Sequence, residues 1–169
     1  MSRTTRARVL GGLVALVLVA VVAGAAHLWR IENADLDRLQ AAEDADAAAV
    51  AAARDQALAW TTVDYREVDD YFDGIRERAG GDFLTELEET EGSLKKLTVK
   101  NESVQTATVP AGGAALVERS GDQATVVVAV DTSVTTVTQP EPQDRQYRLR
   151  LTLEREGATW LTTGLEFVG

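Results

Sequence analysis

The sequence predicts an α+β protein that is held to a membrane by its N-terminal segment. Three observations support this: a charge-free apolar run near the N-terminus, an alanine-rich stretch with helical spacing, and twofold alternation after Val99. Helical patterns followed by strand patterns are typical of α+β folds. We therefore expect an N-terminal transmembrane helix and a stalk helix, followed by a domain of helices packed on a curved, roughly four-stranded antiparallel sheet.

The run from Val9 to Leu28 contains twenty residues without Asp, Glu, Lys or Arg. A helix of that length spans the roughly 30 Å hydrocarbon core of a bilayer. Arg3, Arg6 and Arg8 precede the run, so the positive-inside rule predicts a cytoplasmic N-terminus. The predicted divisions are a cytoplasmic N-terminus (1–8), a transmembrane helix (9–29), a juxtamembrane helix or stalk (30–57) and an extracytoplasmic domain (58–169).

The predicted location is therefore the plasma membrane, with a single pass and the C-terminal domain outside. Ala23-Gly24-Ala25 is similar to a signal-peptidase site, so cleavage near this point is the alternative. The apolar run continues past that site to Leu28 and is long for a signal peptide, which favours an uncleaved anchor.

Composition excludes several classes of function. Residues 31–169 carry 27 acidic and 13 basic side chains, for a net charge of −14, so we expect no nucleic-acid partner. The chain has no cysteine, and its one histidine, His27, falls in the predicted membrane segment. The exported part therefore lacks the commonest general base and the commonest metal ligand. We predict that the protein is not an enzyme and has no cofactor and no metal.

The helical region begins at about Glu32. Eleven of the nineteen residues in 41–59 are alanine, the best helix former. The apolar stripe is thin before Leu58, which predicts a stalk, with a dimeric coiled coil as the alternative. A short helix follows around residues 68–75. A third helix is predicted to start at an Asp82 N-cap, and its buried side is expected to consist of Phe83, Leu87, Leu94 and Leu97.

The strand region begins after Val99. Two short strands are separated by Pro110-Ala111-Gly112-Gly113, which predicts either a bend in one long strand or a tight hairpin. A long Val/Thr strand over 124–138 leads into a predicted polar loop at 140–144. Two further antiparallel strands follow. Helices packed on this sheet are expected to bury four large side chains together: Tyr71, Phe83, Leu149 and Trp160.

Several polar residues are candidates for a functional site. A carboxylate base and a tyrosine donor in the interior would permit isomerase-like chemistry, and the candidates are Asp131, Asp64, Asp69, Tyr65 and Tyr71. We expect Asp131 to face solvent, because it alternates with the Val126, Val128 and Val130 side of its strand. We expect the tyrosines to be core residues with hydrogen-bonded hydroxyls. No catalytic residue is therefore assigned.

Two further charged groups remain. The carboxylate run Glu86, Glu88, Glu89 and Glu91 lacks the turn glycine and ligand spacing of a calcium loop, so it predicts a solvated helix face. Arg148 and Arg150 alternate on the polar face of one strand. They are candidates for a partner-docking face, and cross-strand pairing with carboxylates is the alternative.

The chain resembles the actinobacterial Mce-associated membrane proteins, which accompany mammalian-cell-entry (Mce) lipid importers. The resemblance covers nearly the whole chain. It includes the anchor, the alanine-rich helix and the strand from Ala124 to Val130. The other segments that carry it are Leu58-Ala59-Trp60-Thr61-Thr62-Val63-Asp64-Tyr65, Ala79-Gly80-Gly81-Asp82-Phe83, Leu151-Thr152-Leu153, Gly157 and Trp160-Leu161.

This resemblance implies the cone-shaped fold of nuclear transport factor 2 and ketosteroid isomerase. It also implies a non-enzymatic accessory protein that stabilises or helps assemble an Mce-type lipid-import complex, with Mce or permease subunits as partners. The family has no catalytic motif to transfer. The alternatives are a small-ligand (lipid) binding cone or degenerate isomerase-like domain, and a type IV secretion-like assembly scaffold, since one anchor plus this cone also occurs there.

Overall fold

The computed structural model describes residues 36–168 of the chain. The predicted membrane segment lies outside the described residues, and none of the helices within 36–168 has the length and hydropathy to cross a membrane. The chain divides into two compact units, Met1–Asp44 and Ala45–Gly169. In the first, the described residues 36–44 are helical. The second contains the helices and the sheet described below.

The helices of the second unit precede most of its strands. We call helical residues 45–61 α1. A two-residue strand β1 (Val63–Asp64) and a 3₁₀ turn (Tyr65–Glu67) lead to α2 (Val68–Arg76) and α3 (Gly81–Lys100). The prediction of Asp82 as N-cap of α3 is wrong, because Gly80 occupies that position. Asp82 lies in the first turn, where its negative charge interacts favourably with the positive end of the helix dipole.

The strands form one antiparallel sheet with the order β1-β2-β4-β5-β6 and with β3 also paired to β4. Their bounds are β2 Val104–Thr108, β3 Ala114–Ser120, β4 Gln123–Thr136, β5 Gln139–Glu156 and β6 Thr159–Phe167. Helices packed on a curled antiparallel sheet confirm the α+β prediction. The sheet has six strands rather than roughly four, in part because β1 is too short to leave a periodic signal in the sequence.

β2 and β3 are two parts of one interrupted strand alongside β4, which is the bent-strand alternative. β2 pairs with the last part of β4 and β3 with its first part. Between them, the Gly113 N–H donates to the Pro110 carbonyl over 2.9 Å. The guanidinium of Arg54 in α1 donates to the Val109 carbonyl over 2.5 Å. This side chain therefore satisfies backbone at the break and links α1 to the sheet.

The predicted polar loop at 140–144 is wrong, because this segment is the start of β5. The connection is instead the tight turn at Val137-Thr138. β6 pairs with β5 only from Leu149 onward, so the earlier part of β5 is an edge of the sheet. Pro140 and Pro142 are tolerated there because an edge does not need every N–H group for pairing.

The side chains form two hydrophobic clusters rather than the single core expected from the sequence. The first contains Trp160 and Leu149, and it packs the alanine face of α1 on the sheet. Its buried members are Ala49, Ala53, Ala57, Val109, Ala124, Val126, Val128, Val130, Leu149, Leu151, Leu153 and Trp160. The second centres on Phe72, Ile75, Ala79 and Leu87, and the partly buried Tyr71 and Phe83 pack there.

Candidate functional site

Asp131 lies on the polar face of β4, as the alternation predicts. Its neighbours Val130 and Thr132 are buried on the other face, at 0% and 4% exposure. The Asp131 carboxylate accepts a hydrogen bond of 3.0 Å from the side-chain amide of Gln146 on β5. Asp131 therefore lies away from the tyrosines of the helical half, and its carboxylate pairs with Gln146 across the strands.

Tyr71 and Asp64 do line one groove, with a volume of ≈ 490 Å³. The Tyr71 hydroxyl donates to the Trp60 carbonyl over 2.9 Å, and burial raises the pKa of Tyr71 to about 12. Hydrogen bonds from the Arg66 side chain and backbone lower the pKa of Asp64. An isomerase needs a carboxylate that accepts a proton readily and a donor that is not already engaged. The lowered pKa makes Asp64 a poorer base. The Tyr71 hydroxyl is already hydrogen-bonded and its raised pKa makes it a poorer donor, so neither group meets these needs.

The remaining candidates in this set have structural partners. Asp69 forms an ion pair of 2.7 Å with Lys95 of α3. Tyr65 is partly buried, and the Arg66 guanidinium lies 5.8 Å from the centre of its ring. The structure therefore does not bring the five acid–base candidates together into one site.

Glu91 departs from the solvated face predicted for the α3 carboxylates. Its carboxylate accepts 2.7 Å contacts from both Arg76 of α2 and Lys95 of α3, and its side chain is 14% exposed. Hydrogen bonds from Lys95 and Arg76 lower the pKa of Glu91. Hydrogen bonds to Glu91 and Asp73 raise the pKa of Arg76. This cluster joins α2 to α3 and has a structural role.

Arg148 and Arg150 lie on the polar face of β5, as predicted. Arg150 faces Glu166 of β6 in the strand register, and their charged atoms are 3.5 Å apart. The side chain of Arg148 is exposed, and its main-chain carbonyl accepts a 2.8 Å hydrogen bond from the Val168 N–H. Arg150 therefore forms the cross-strand ion pair with a carboxylate, Glu166, that was the alternative to docking. A docking role for this face stays a prediction.

A groove between α3 and β6 was missed from the sequence. It has a volume of ≈ 400 Å³. The expectation that Leu94 and Leu97 are buried is wrong, since they are 41% and 55% exposed. Helical periodicity correctly placed them on one stripe with Phe83 and Leu87, but it cannot show how much of the stripe is covered. The lining residues are Trp60, Asp82, Phe83, Glu86, Leu87, Thr90, Leu94, Thr163, Gly164, Leu165 and Glu166.

Trp60 provides an aromatic wall of this groove. Its ring lies 5.1 Å from the ring of Phe83, centre to centre, in a tilted arrangement. The indole Nε1 is buried and has no hydrogen-bond acceptor among residues 36–168.

The helices, the curled antiparallel sheet and the order of the strands define a nuclear transport factor 2-like domain, which confirms the fold that the resemblance implied. The chain belongs to the family described as "Uncharacterized protein Rv1363c/MT1408-like", which matches residues 7–169. A relative is the uncharacterized protein Rv1362c of Mycobacterium tuberculosis strain H37Rv. It is 30% identical over 150 residues, which are 89% of this chain and 68% of the relative.

Solved structures with this fold include proteins of secretion systems. An IcmL-like type IV secretion system protein from Legionella pneumophila has a TM-score of 0.57 at 13% identity, covering 70% of this chain and 88% of that chain. CagV, a VirB8 homolog from the Helicobacter pylori type IV secretion system, has a TM-score of 0.55 at 8% identity, covering 72% and 97%. At these identities the likeness shows the fold.

Proposed function

We propose that this chain is a non-enzymatic assembly protein of the cell envelope, whose domain stabilises the subunits of a membrane complex. The observation that carries the proposal is the filled space between α1 and the sheet. Ala49, Ala53 and Ala57 are 0% exposed and pack in one cluster with the inner face of β4 and β5. A small-ligand cone needs a chamber there, so this packing favours a protein that acts through its outer surfaces.

The chemistry of the helical half supports the same proposal. The lowered pKa of Asp64 and the raised pKa of Tyr71 make a weak base and a weak acid at neutral pH. Proton transfer is most efficient when the catalytic group has a pKa near the working pH. The degenerate isomerase is therefore the less favoured alternative.

We further propose that the complex is an Mce-type lipid importer and that Mce or permease subunits are the partners. The support is the sequence resemblance along nearly the whole chain. A type IV secretion-like assembly scaffold is the second candidate. It is favoured by the IcmL-like protein and CagV, which share the fold and are secretion-system proteins. Both candidates assign the domain a structural role in an envelope complex.

Crosslinking and pull-down of the full-length protein from its own membranes tests the choice. Recovery of Mce or permease subunits, together with a fall in their levels on deletion of the gene, is expected. If neither is observed, the Mce assignment should be dropped, and recovery of secretion-type subunits would favour the second candidate. A Tyr71→Phe, Asp64→Asn double variant keeps both side-chain shapes. Expressed in the deletion strain, this double variant should restore the levels of the partner subunits. If a stably folded double variant does not restore them, the isomerase-like alternative would be favoured.

The assembly proposal also requires residues 9–29 to anchor the domain outside the plasma membrane. Alkaline phosphatase is active only after export, so a fusion after Gly169 should be active in the membrane fraction. An inactive fusion would place the domain in the cytoplasm. A mature chain that begins near Ala26 and leaves the membrane would instead show that the apolar run is a cleaved signal.

A further inference from the structure

We infer that the groove between α3 and β6 is the docking site for a basic, amphipathic helical segment of a partner protein. The inference rests on the proposed assembly function and identifies the surface and the partner chemistry that would carry it. Three features of the groove support the inference: an apolar stripe that is only partly covered, an acidic rim, and an aromatic wall formed by Trp60 and Phe83.

The apolar stripe runs the length of α3. Phe83, Leu87, Thr90, Leu94 and Leu97 follow one another at steps of four, three, four and three residues, which places them on one face of the helix. Leu87 is 4% exposed, whereas Leu97 is 55% exposed. The domain therefore covers the start of the stripe and leaves its end open.

The opposite wall continues the apolar surface. Leu165 of β6 lines the groove, and Phe167 follows two residues later on the same face of the strand. Phe167 is 67% exposed, the most exposed large apolar side chain among residues 36–168. The stripe from Phe83 to Leu97 continues one turn past Leu94, the last α3 residue that lines the groove. It is about 21 Å long, enough for about four turns of a second helix lying along it. Helix-in-groove recognition uses apolar anchors at this same three- and four-residue spacing.

The charges on the rim select the partner. The three ionisable groups that line the groove, Asp82, Glu86 and Glu166, are all acidic. Asp82 and Glu86 are exposed, and Glu166 shares its charge with Arg150 over 3.5 Å. Complementary charge at a rim favours encounter and excludes partners of like charge. An occupant with apolar anchors flanked by Lys or Arg fits this surface.

The same charges argue against a second copy of this chain. Residues 31–169 carry a net charge of −14, so two copies would bring acidic surfaces together. The rim also disfavours an anionic lipid headgroup. At the wall of the groove, the partly buried rings of Trp60 and Phe83 supply rigid aromatic surface, which is typical of the sites that contribute most to interface binding energy.

The test uses full-length protein in detergent micelles and three labelled peptides of about 14 residues, matched to the length of the α3 stripe. The first is a helical Leu/Ala peptide with an i, i+3, i+7 leucine stripe and flanking lysines. The second replaces each lysine with glutamate, and the third keeps the composition of the first in scrambled order. Fluorescence anisotropy should show the lysine peptide binding about tenfold more tightly than either of the others.

Matched variants of α3 locate the binding to the groove. Glu86→Lys changes the rim and should weaken binding of the lysine peptide about fivefold, whereas Glu88→Lys, outside the lining, should leave it unchanged. Leu97→Asn removes an exposed anchor and should also weaken binding. Val99→Asn is its control, because Val99 is 46% exposed but lies away from the stripe. Circular dichroism of each variant shows that the helix is retained.

Equal binding of the three peptides, or equal effects of Glu86→Lys and Glu88→Lys, would overturn the inference. So would dimerisation that is lost in Leu97→Asn but retained in Val99→Asn, because the occupant would then be a second copy. A displaceable fluorescent fatty acid that binds the groove in preference to the lysine peptide would identify a lipid instead. These results are distinct from failure of the assembly function, which is measured by subunit levels after deletion.

Discussion

Gln56 of α1 uses both ends of its side-chain amide to hold β6. Its Nε2 donates to the carbonyl of Trp160 over 2.6 Å, and its Oε1 accepts a hydrogen bond from the hydroxyl of Thr162. Gln56 is 4% exposed and Thr162 is 0% exposed. Because a buried polar group is costly when unpaired, this arrangement favours a single register of the alanine helix on the sheet.

Gln56→Ala should lower the free energy of unfolding by about 2–3 kcal/mol. The substitution leaves the Trp160 carbonyl and the Thr162 hydroxyl without their partner in a buried site and opens a small cavity. Urea unfolding of the full-length protein in detergent measures the loss. Asp55→Ala, at the exposed neighbouring position, is the control and should change stability by less than about 0.5 kcal/mol. Equal losses in the two variants would remove the proposed role of the amide.

Ala53→Leu should be destabilising by about 1–3 kcal/mol, because Ala53 is 0% exposed and α1 lies close against the sheet. Ala51→Leu adds the same atoms at an exposed position and should be close to neutral. The difference between the two midpoints of unfolding reports how tightly the space is filled. If Ala53→Leu were as stable as Ala51→Leu, spare volume would exist between α1 and the sheet, and the small-ligand alternative would gain support.

The inner face of the sheet could be predicted from the sequence because it depends on a local pattern. Val126, Val128 and Val130 alternate with Val127, Ala129 and Asp131, and all three are 0% exposed. Twofold alternation assigns alternate side chains to opposite faces whatever the neighbouring strands are. The outward position of Asp131 follows from the same rule.

The errors concern features that depend on tertiary neighbours. Pro140 and Pro142 favour a loop in isolation, and only the late start of the pairing between β5 and β6 makes this segment an edge strand. The stripe ending at Leu97 is visible in the sequence, but the extent of its cover depends on where β6 lies. In the sequence Glu91 cannot be distinguished from the neighbouring carboxylates, because only the packing of α2 places Arg76 beside it.

Glu91→Gln should lower the melting temperature at neutral pH by a few degrees, since it removes the anion that joins Arg76 and Lys95. The lowered pKa of Glu91 gives stability that is present above the unfolded pKa of about 4.3 and is lost as the pH falls through the lower folded value. The variant should therefore lose less stability than the wild type below about pH 4. Glu89→Gln, at an exposed position, should retain the wild-type profile; if it matched Glu91→Gln, the effect would reflect only net charge.

Tyr71 should make the domain sensitive to alkaline pH. Burial raises its pKa from 10.0 to about 12, so the folded state favours the neutral phenol. This stability is fully present below about pH 10 and is lost as the pH rises through about 12, by about 3 kcal/mol in total. Tyr71→Phe should cost about 1 kcal/mol at pH 8, because the hydrogen bond to the Trp60 carbonyl is lost, and should flatten the alkaline decline. Urea unfolding at pH 8 and pH 11 compares the two proteins, with Tyr147→Phe as the control. An unchanged decline in Tyr71→Phe would assign the alkaline sensitivity to other groups.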